Sequence, residues 1–160
     1  MQPKILYGIY LPIENIQQNS FRINQIMSVS TVGNAKSARD YLGVIIEKNV
    51  VYKKKIEDHF NQNVPFLNAN YCLNDLVDEI HIPRHTISAF INQEYGVGFR
   101  KFINLKRVAY IIENFNQPQW QHLTLEAIAN DAGFVNRSTF ILNFKECTGQ
   151  TPAAYFKNRC

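Results

Sequence analysis

Cysteine is scarce in this chain, and the three present, Cys72, Cys147 and Cys160, are odd in number and widely spaced. No CxxC pair occurs, which excludes a disulfide framework and fits a reducing compartment, so a cytoplasmic protein is expected. Glycine is also sparse, at seven residues, and the nearest approach to a phosphate loop, Gly96-Val97-Gly98, lacks both the lysine and the preceding strand. The four histidines, His59, His81, His85 and His122, are scattered without an HExxH motif. With no nucleophile–base pair, carboxylate pair or metal cluster in view, neither an enzyme, a cofactor nor a metal site is expected. Long apolar runs are missing too. The longest near the start, Ile5 to Leu11, has seven residues against the about 20 that cross a bilayer. No small-residue cleavage site follows it, so it does not read as a signal peptide, and no membrane segment is expected in this chain.

What remains is an ordinary globular composition. Hydrophobic residues make up 46% and charged residues 19% of 160 residues, enough apolar material for a core and too little charge for a disordered chain. The net charge is +4 and the pI about 9.0, which suits a polyanionic partner. The excess is uneven: residues 1–63 hold eight Lys/Arg against five Asp/Glu, whereas residues 64–160 hold nine against eight.

Three segments differ in pattern. Residues 1–40 carry Pro3, Pro12, Gly8 and Gly33 among polar stretches and read as a weakly structured N-terminal arm of unknown role. Residues 41–63 place Leu42, Ile45, Ile46, Val50, Ile56 and Phe60 at helical spacing, and Pro65 ends the run; Lys53-Lys54-Lys55 reads as its solvated face. The third segment, 64–160, shows no strand-like alternation over residues 70–160, so this part reads as all-α.

The punctuation in the third segment repeats. Leu73, Leu76, Val77 and Ile80 form an apolar stripe, with Asn74 and Asp75 as candidate caps, followed by a turn at His81-Ile82. Pro83 opens a second helix with Ile87, Phe90 and Ile91 inward, closed by Gly96 and Gly98. A longer helix over about 98–115 has Phe102, Ile103, Leu105, Val108, Ala109 and Ile112 as its stripe and ends before Pro118. The pattern then restarts about 50 residues on: Thr124 caps a short helix with Leu125, Ile128 and Ala129 inward, Ala132-Gly133-Phe134 turns, and Asn136 caps a helix with Phe140 and Phe144 inward that Gly149 stops. Thr151-Pro152 opens a last short helix. The expected fold is therefore two helix-turn-helix subdomains, at about 73–95 and 124–148, joined by a long linker helix. The inward positions of the phenylalanines make them core rather than base-stacking platforms, and Trp120 reads as a packing anchor.

The stretch from Ala127 to Phe134, then Asn136 to Phe140, Phe144-Lys145, Thr148-Gly149, Thr151-Pro152 and Tyr155, resembles the second half of the AraC-type DNA-binding domain. Leu73 to Ile91 resembles its first half, and Gly98 to Arg107 its linker helix. The resemblance covers about 65–160 and leaves out 1–40; the first unit is most similar to the branch found in Bacteroidetes-like bacteria. It implies a bacterial transcriptional regulator that binds double-stranded DNA, with RNA polymerase as a further candidate partner. A homodimer formed through a region outside the DNA-binding domain is another.

The resemblance also implies site residues. The second helix of each unit would enter a major groove, which is about 12 Å wide and accepts one helix. Base contacts would come from Arg84, His85, Ser88 and Asn92, beside Ala89, in the first unit and from Arg137 and Ser138 in the second. Phosphate contacts would come from Thr86, Lys106, Arg107, Asn136, Thr139 and Lys145. Arg100 and Lys101 could add to the same positive face. Ile141 and Leu142 depart from the family, which has polar or basic residues there. One reading makes the second unit mainly a phosphate anchor; another has the N-terminal arm covering this pair and blocking DNA. A third makes the fold a protein-interaction module with weak or no DNA affinity.

Overall fold

The computed structural model describes residues 5–6, 9–10 and 50–157. Every regular element from residue 50 onward is helical: α1 (50–63), α2 (Leu73–Ile80), α3 (Arg84–Tyr95), α4 (Phe99–Asn114), α5 (Leu125–Asp131), α6 (Arg137–Thr148) and α7 (Pro152–Lys157). Short 3-10 turns at Pro65–Leu67 and Pro118–Trp120 lead into the two helix-turn-helix units, α2–α3 and α5–α6. The all-α expectation holds for this part. Two short strands, β1 (Ile5–Leu6) and β2 (Ile9–Tyr10), pair antiparallel with Ile5 opposite Tyr10, and β2 lies against α6. The rest of the expected arm over 1–40 and the expected helix start near 41 lie outside the described residues.

The helix ends follow from local chemistry. Thr124 accepts a hydrogen bond from the Ala127 amide at 3.2 Å, and Asn136 Oδ1 accepts one from the Thr139 amide at 2.8 Å. Each satisfies a donor that the first helical turn would otherwise leave open. The start of α2 differs from the sequence expectation. Its N-cap is Cys72, not Asn74 or Asp75; Asp75 stands three residues in and reaches back to accept from the Cys72 amide at 2.7 Å, which lowers its pKa. Pro83 is the N-cap of α3 rather than its first helical residue, and Gly98 opens α4 rather than closing α3. Gly96 and Gly149 end α3 and α6 in the left-handed conformation, with φ 69° and 76°.

Two hydrophobic cores share one helix. The first gathers Ile56, Phe60 and Phe66 with Leu76, Ile87 and Ile91 of the first unit, and takes Phe102 and Ile103 from the start of α4. The second gathers Ile128, Ala129, Phe134, Phe140, Phe144, Phe156 and Trp120, and takes Val108, Ala109 and Ile111 from the second half of α4. Phe60 and Phe102 meet edge-on at 5.2 Å between ring centres, and Tyr110 and Trp120 at 5.7 Å. Helix α4 is thus enclosed by both units, and even Asn104, Lys106 and Arg107 on it are buried.

A second joint fixes the units to each other. Gly133, in the turn of the second unit with φ 90°, lies so close to the 3-10 turn before the first that an added Cβ would stand 2.7 Å from the carbonyl oxygens of both Phe66 and Leu67. Only glycine fits this approach.

Candidate nucleic-acid interface

Helix α3 turns Ile87, Phe90 and Ile91 into the first core, which forces Arg84, His85, Ser88, Ala89 and Asn92 outward, and all five are exposed. Thr86 is half-buried. An arginine guanidinium at the helix start is the longest reach on this face, and Arg84 Nη1 donates to Asn74 Oδ1 of α2 at 3.1 Å. This bond spans the helix-turn-helix and steadies the guanidinium outside the core.

Helix α6 presents Arg137, Ser138, Leu142 and Lys145 to solvent, with Asn136 exposed and Thr139 half-buried at its start. Its inner side is bolted to the linker helix. Lys101 pairs with Glu146 and donates to Asn143 Oδ1 at 2.7 Å, while the buried Asn143 amide donates to the Thr139 carbonyl at 2.8 Å. Lys101 is therefore committed to holding α6.

The apolar pair that departs from the family splits. Ile141 is half-buried against the second core, beside Leu125, Phe140 and Pro152. It is covered by its own subdomain. Leu142 stays 60% exposed, and Val135, just ahead of the Asn136 cap, is 72% exposed.

Two expected phosphate ligands are corrected. Arg107 is only 6% exposed: Nε donates to the Phe66 carbonyl at 2.7 Å and Nη2 to the Asn68 carbonyl at 2.9 Å, and the guanidinium lies 5.7 Å from the centre of the Phe134 ring. Burial lowers its pKa, though a guanidinium stays charged. Lys106 is 5% exposed, with its ammonium 5.5 Å from the Phe102 ring centre and 5.9 Å from that of Phe60. Burial drives its pKa down to about 8 against the pull of the Glu57 and Glu113 carboxylates. Neither cation can reach a phosphate from these positions. They were read as outward because one helical stripe was assigned to α4, whereas two cores approach it from different sides.

Arg100, exposed in the first turn of α4, lines a groove of about 490 Å³ between the two units, together with Asn70, Asn136 and Thr139. Its signal in the sequence is its place off the apolar stripe, two residues before Phe102, the first core residue of the linker. The exposed cations of the helix-turn-helix units and linker start are thus Arg84, Arg100, Arg137 and Lys145, and among the described residues no ion pair holds them.

Away from this face, α1 is tied to the first unit. Lys53 pairs with Glu94 at 2.9 Å, at the far end of α3. His59 Nε2 and the Tyr71 hydroxyl both meet Glu79 Oε2, at 2.8 Å and 2.5 Å, and burial with the adjacent Glu79 carboxylate pushes the Tyr71 pKa upward. Among the described residues no group of His, Cys, Asp and Glu could hold a metal ion, and no helix is long and apolar enough to cross a membrane.

The comparisons with known proteins agree with this geometry. A helix-turn-helix domain family matches residues 76–158, just over half of the chain. A protein of unknown function from Listeria innocua is similar at 26% identity and TM-score 0.53, over 66% of this chain and 94% of that one. The C-terminal domain of AraT, a response regulator from Geobacillus stearothermophilus, has the same fold at 20% identity and TM-score 0.53, over 67% of this chain and 84% of that one. No curated protein matches. With the two-unit architecture and the family match together, the chain belongs to the AraC-type helix-turn-helix family of DNA-binding transcription regulators.

Proposed function

We propose that the chain binds duplex DNA sequence-specifically through two successive major-groove segments, with α3 as the main base reader and α6 as the anchor. The observation that carries this is the outward face of α3, where Arg84, His85, Ser88 and Asn92 are all exposed on a helix whose other side is locked in a core. Arg84 suits the O6 and N7 edge of guanine and Asn92 the N6 and N7 edge of adenine, while His85 and Ser88 can donate or accept at either. In the second unit Arg137 and Ser138 stand at the helix start, where Asn136 and Thr139 suit a phosphate, while Lys145 in the last turn of α6 suits another. The few exposed cations limit how many counterions one copy can release, so a second copy supplying a second half-site would raise affinity.

The test is a fluorescence-anisotropy titration with random-sequence duplex at about 50 mM salt and again at higher salt, followed by selection from a randomised pool. Salt-dependent binding and an enriched sequence are expected. No binding at tens of micromolar overturns the proposal in favour of a protein-interaction module, the second reading, which the exposed Leu142 and Val135 favour.

A further inference from the structure

The anchor helix has a feature that phosphate contact does not use. Leu142 is 60% exposed between Ser138, one turn before it, and Lys145, almost one turn after, on the face of α6 turned away from both cores. A leucine left in water forgoes stabilisation that burial would give. Single exposed leucines are common, so exposure alone means little. Three further observations single this one out. The face is fixed: Phe140 and Phe144 stand in the second core and Lys101 grips Asn143 and Glu146, so α6 cannot roll to turn Leu142 inward. Its neighbours on that face, Ser138 and Lys145, are polar and positive, and the adjacent Glu146 carboxylate is occupied by Lys101. Val135 extends the apolar surface at the entry to the helix.

A ligand that satisfies an apolar spot beside the Lys145 ammonium, on a helix shaped for the major groove, is anionic outside and carries a methyl group within. Thymine presents a C5-methyl in that groove and cytosine does not. We infer that α6 discriminates bases after all, through van der Waals contact of Leu142 with thymine methyl groups, and that the second segment of the recognised sequence carries thymine where Leu142 lands. This rests on the proposed duplex-DNA function and changes the role of the second unit from anchor to anchor and reader.

Replacing thymine by uracil removes the methyl and leaves every hydrogen-bonding edge in place, which isolates the contact. The full chain is titrated against a duplex enriched from a randomised pool, made with thymine or with uracil in each half separately. Uracil in one half should weaken wild-type binding about four-fold per contacted methyl, the value of one buried methylene. Leu142→Ala should bind the thymine duplex as weakly as wild type binds that uracil duplex, and be indifferent to the exchange. Leu142→Met, which keeps an apolar tip, should retain the sensitivity. If wild type ignores uracil in both halves, or if Leu142→Ala keeps the full uracil effect, the inference is overturned; the second pattern would arise if Ala89 of α3 made the methyl contact. Indifference of every variant while tight binding persists would leave Leu142 as a protein-docking residue and the DNA-binding function intact. Failure to bind the thymine duplex at all would overturn the function itself.

Discussion

Arg107 donates from Nε to the carbonyl oxygen of Phe66 at 2.7 Å, and that same oxygen occupies the space a side chain on Gly133 would need. One carbonyl in the turn before the first unit thus receives the linker helix and leaves room for the turn of the second. The separation of α3 and α6 is set at this joint.

Removing the guanidinium should therefore be costly. Arg107→Met leaves the Phe66 carbonyl without its donor in a buried place and takes one of two donors from the Asn68 carbonyl, for a loss of about 2–4 kcal/mol in urea unfolding. Arg107→Lys should recover little of it, since one ammonium cannot span two carbonyls as the planar fork does. A loss of DNA affinity without a change in stability would show that Arg107 meets DNA instead.

Two glycines with similar backbones should respond differently to alanine. Gly133→Ala meets backbone oxygens at 2.7 Å as well as an unfavourable φ of 90°, and is expected to lower stability by at least about 2 kcal/mol. Gly149→Ala, at φ 76° with no heavy atom within 4 Å of the added Cβ, should cost only about 1 kcal/mol. Thermal melts of the two variants side by side give the comparison, and equal losses would disprove the close approach.

Lys106 should leave a signature in pH. Its folded pKa of about 8 lies below the ordinary 10.5, so between these values the unfolded chain holds more protons and stability rises with pH. Below pH 8 the cost of burying the ammonium is present in full. Lys106→Met should be more stable than wild type by about 1–2 kcal/mol at pH 7. The advantage should shrink between pH 8 and 10.5. The difference between the two proteins is the quantity to follow, because the buried Cys147 thiol, pushed up to about 11, lowers stability in both as pH rises above the ordinary thiol value.

On the DNA side, Arg84→Ala should weaken binding to a selected duplex by about 1–3 kcal/mol and to random duplex far less. Arg100→Ala should weaken both alike and reduce the salt slope by about one. Anisotropy titrations over a salt series distinguish them, and a reversal of the two patterns would exchange the roles of base reader and phosphate ligand.

How far the molecule can be read from its sequence depends on how local each cause is. The caps at Thr124 and Asn136 and the stop at Gly149 are decided within four residues, and each is visible as a residue type in its place. The cap of α2 was misplaced because Asp75 is the stronger signal, although it acts from inside the helix on the amide of Cys72. Periodicity puts Lys106 and Arg107 at the surface because it assumes a helix with one buried side, and α4 has neighbours nearly all round. Ile141 and Leu142 are adjacent in sequence, yet about 100° of helical turn puts one against the core and the other in solvent. Arg100 is legible in the sequence as part of the positive face, but not as lining a groove, which exists only once the two units are side by side.

Because α4 gives its first half to one core and its second half to the other, neither unit is a spare part. Separating them by cleavage within α4 would leave each half of the helix with its own core but part the Lys101 grip on α6 and the Arg107 bonds to Phe66 and Asn68. Melting should accordingly be a single event, and evolution can alter the two reading faces independently only while leaving untouched the spindle on which both turn.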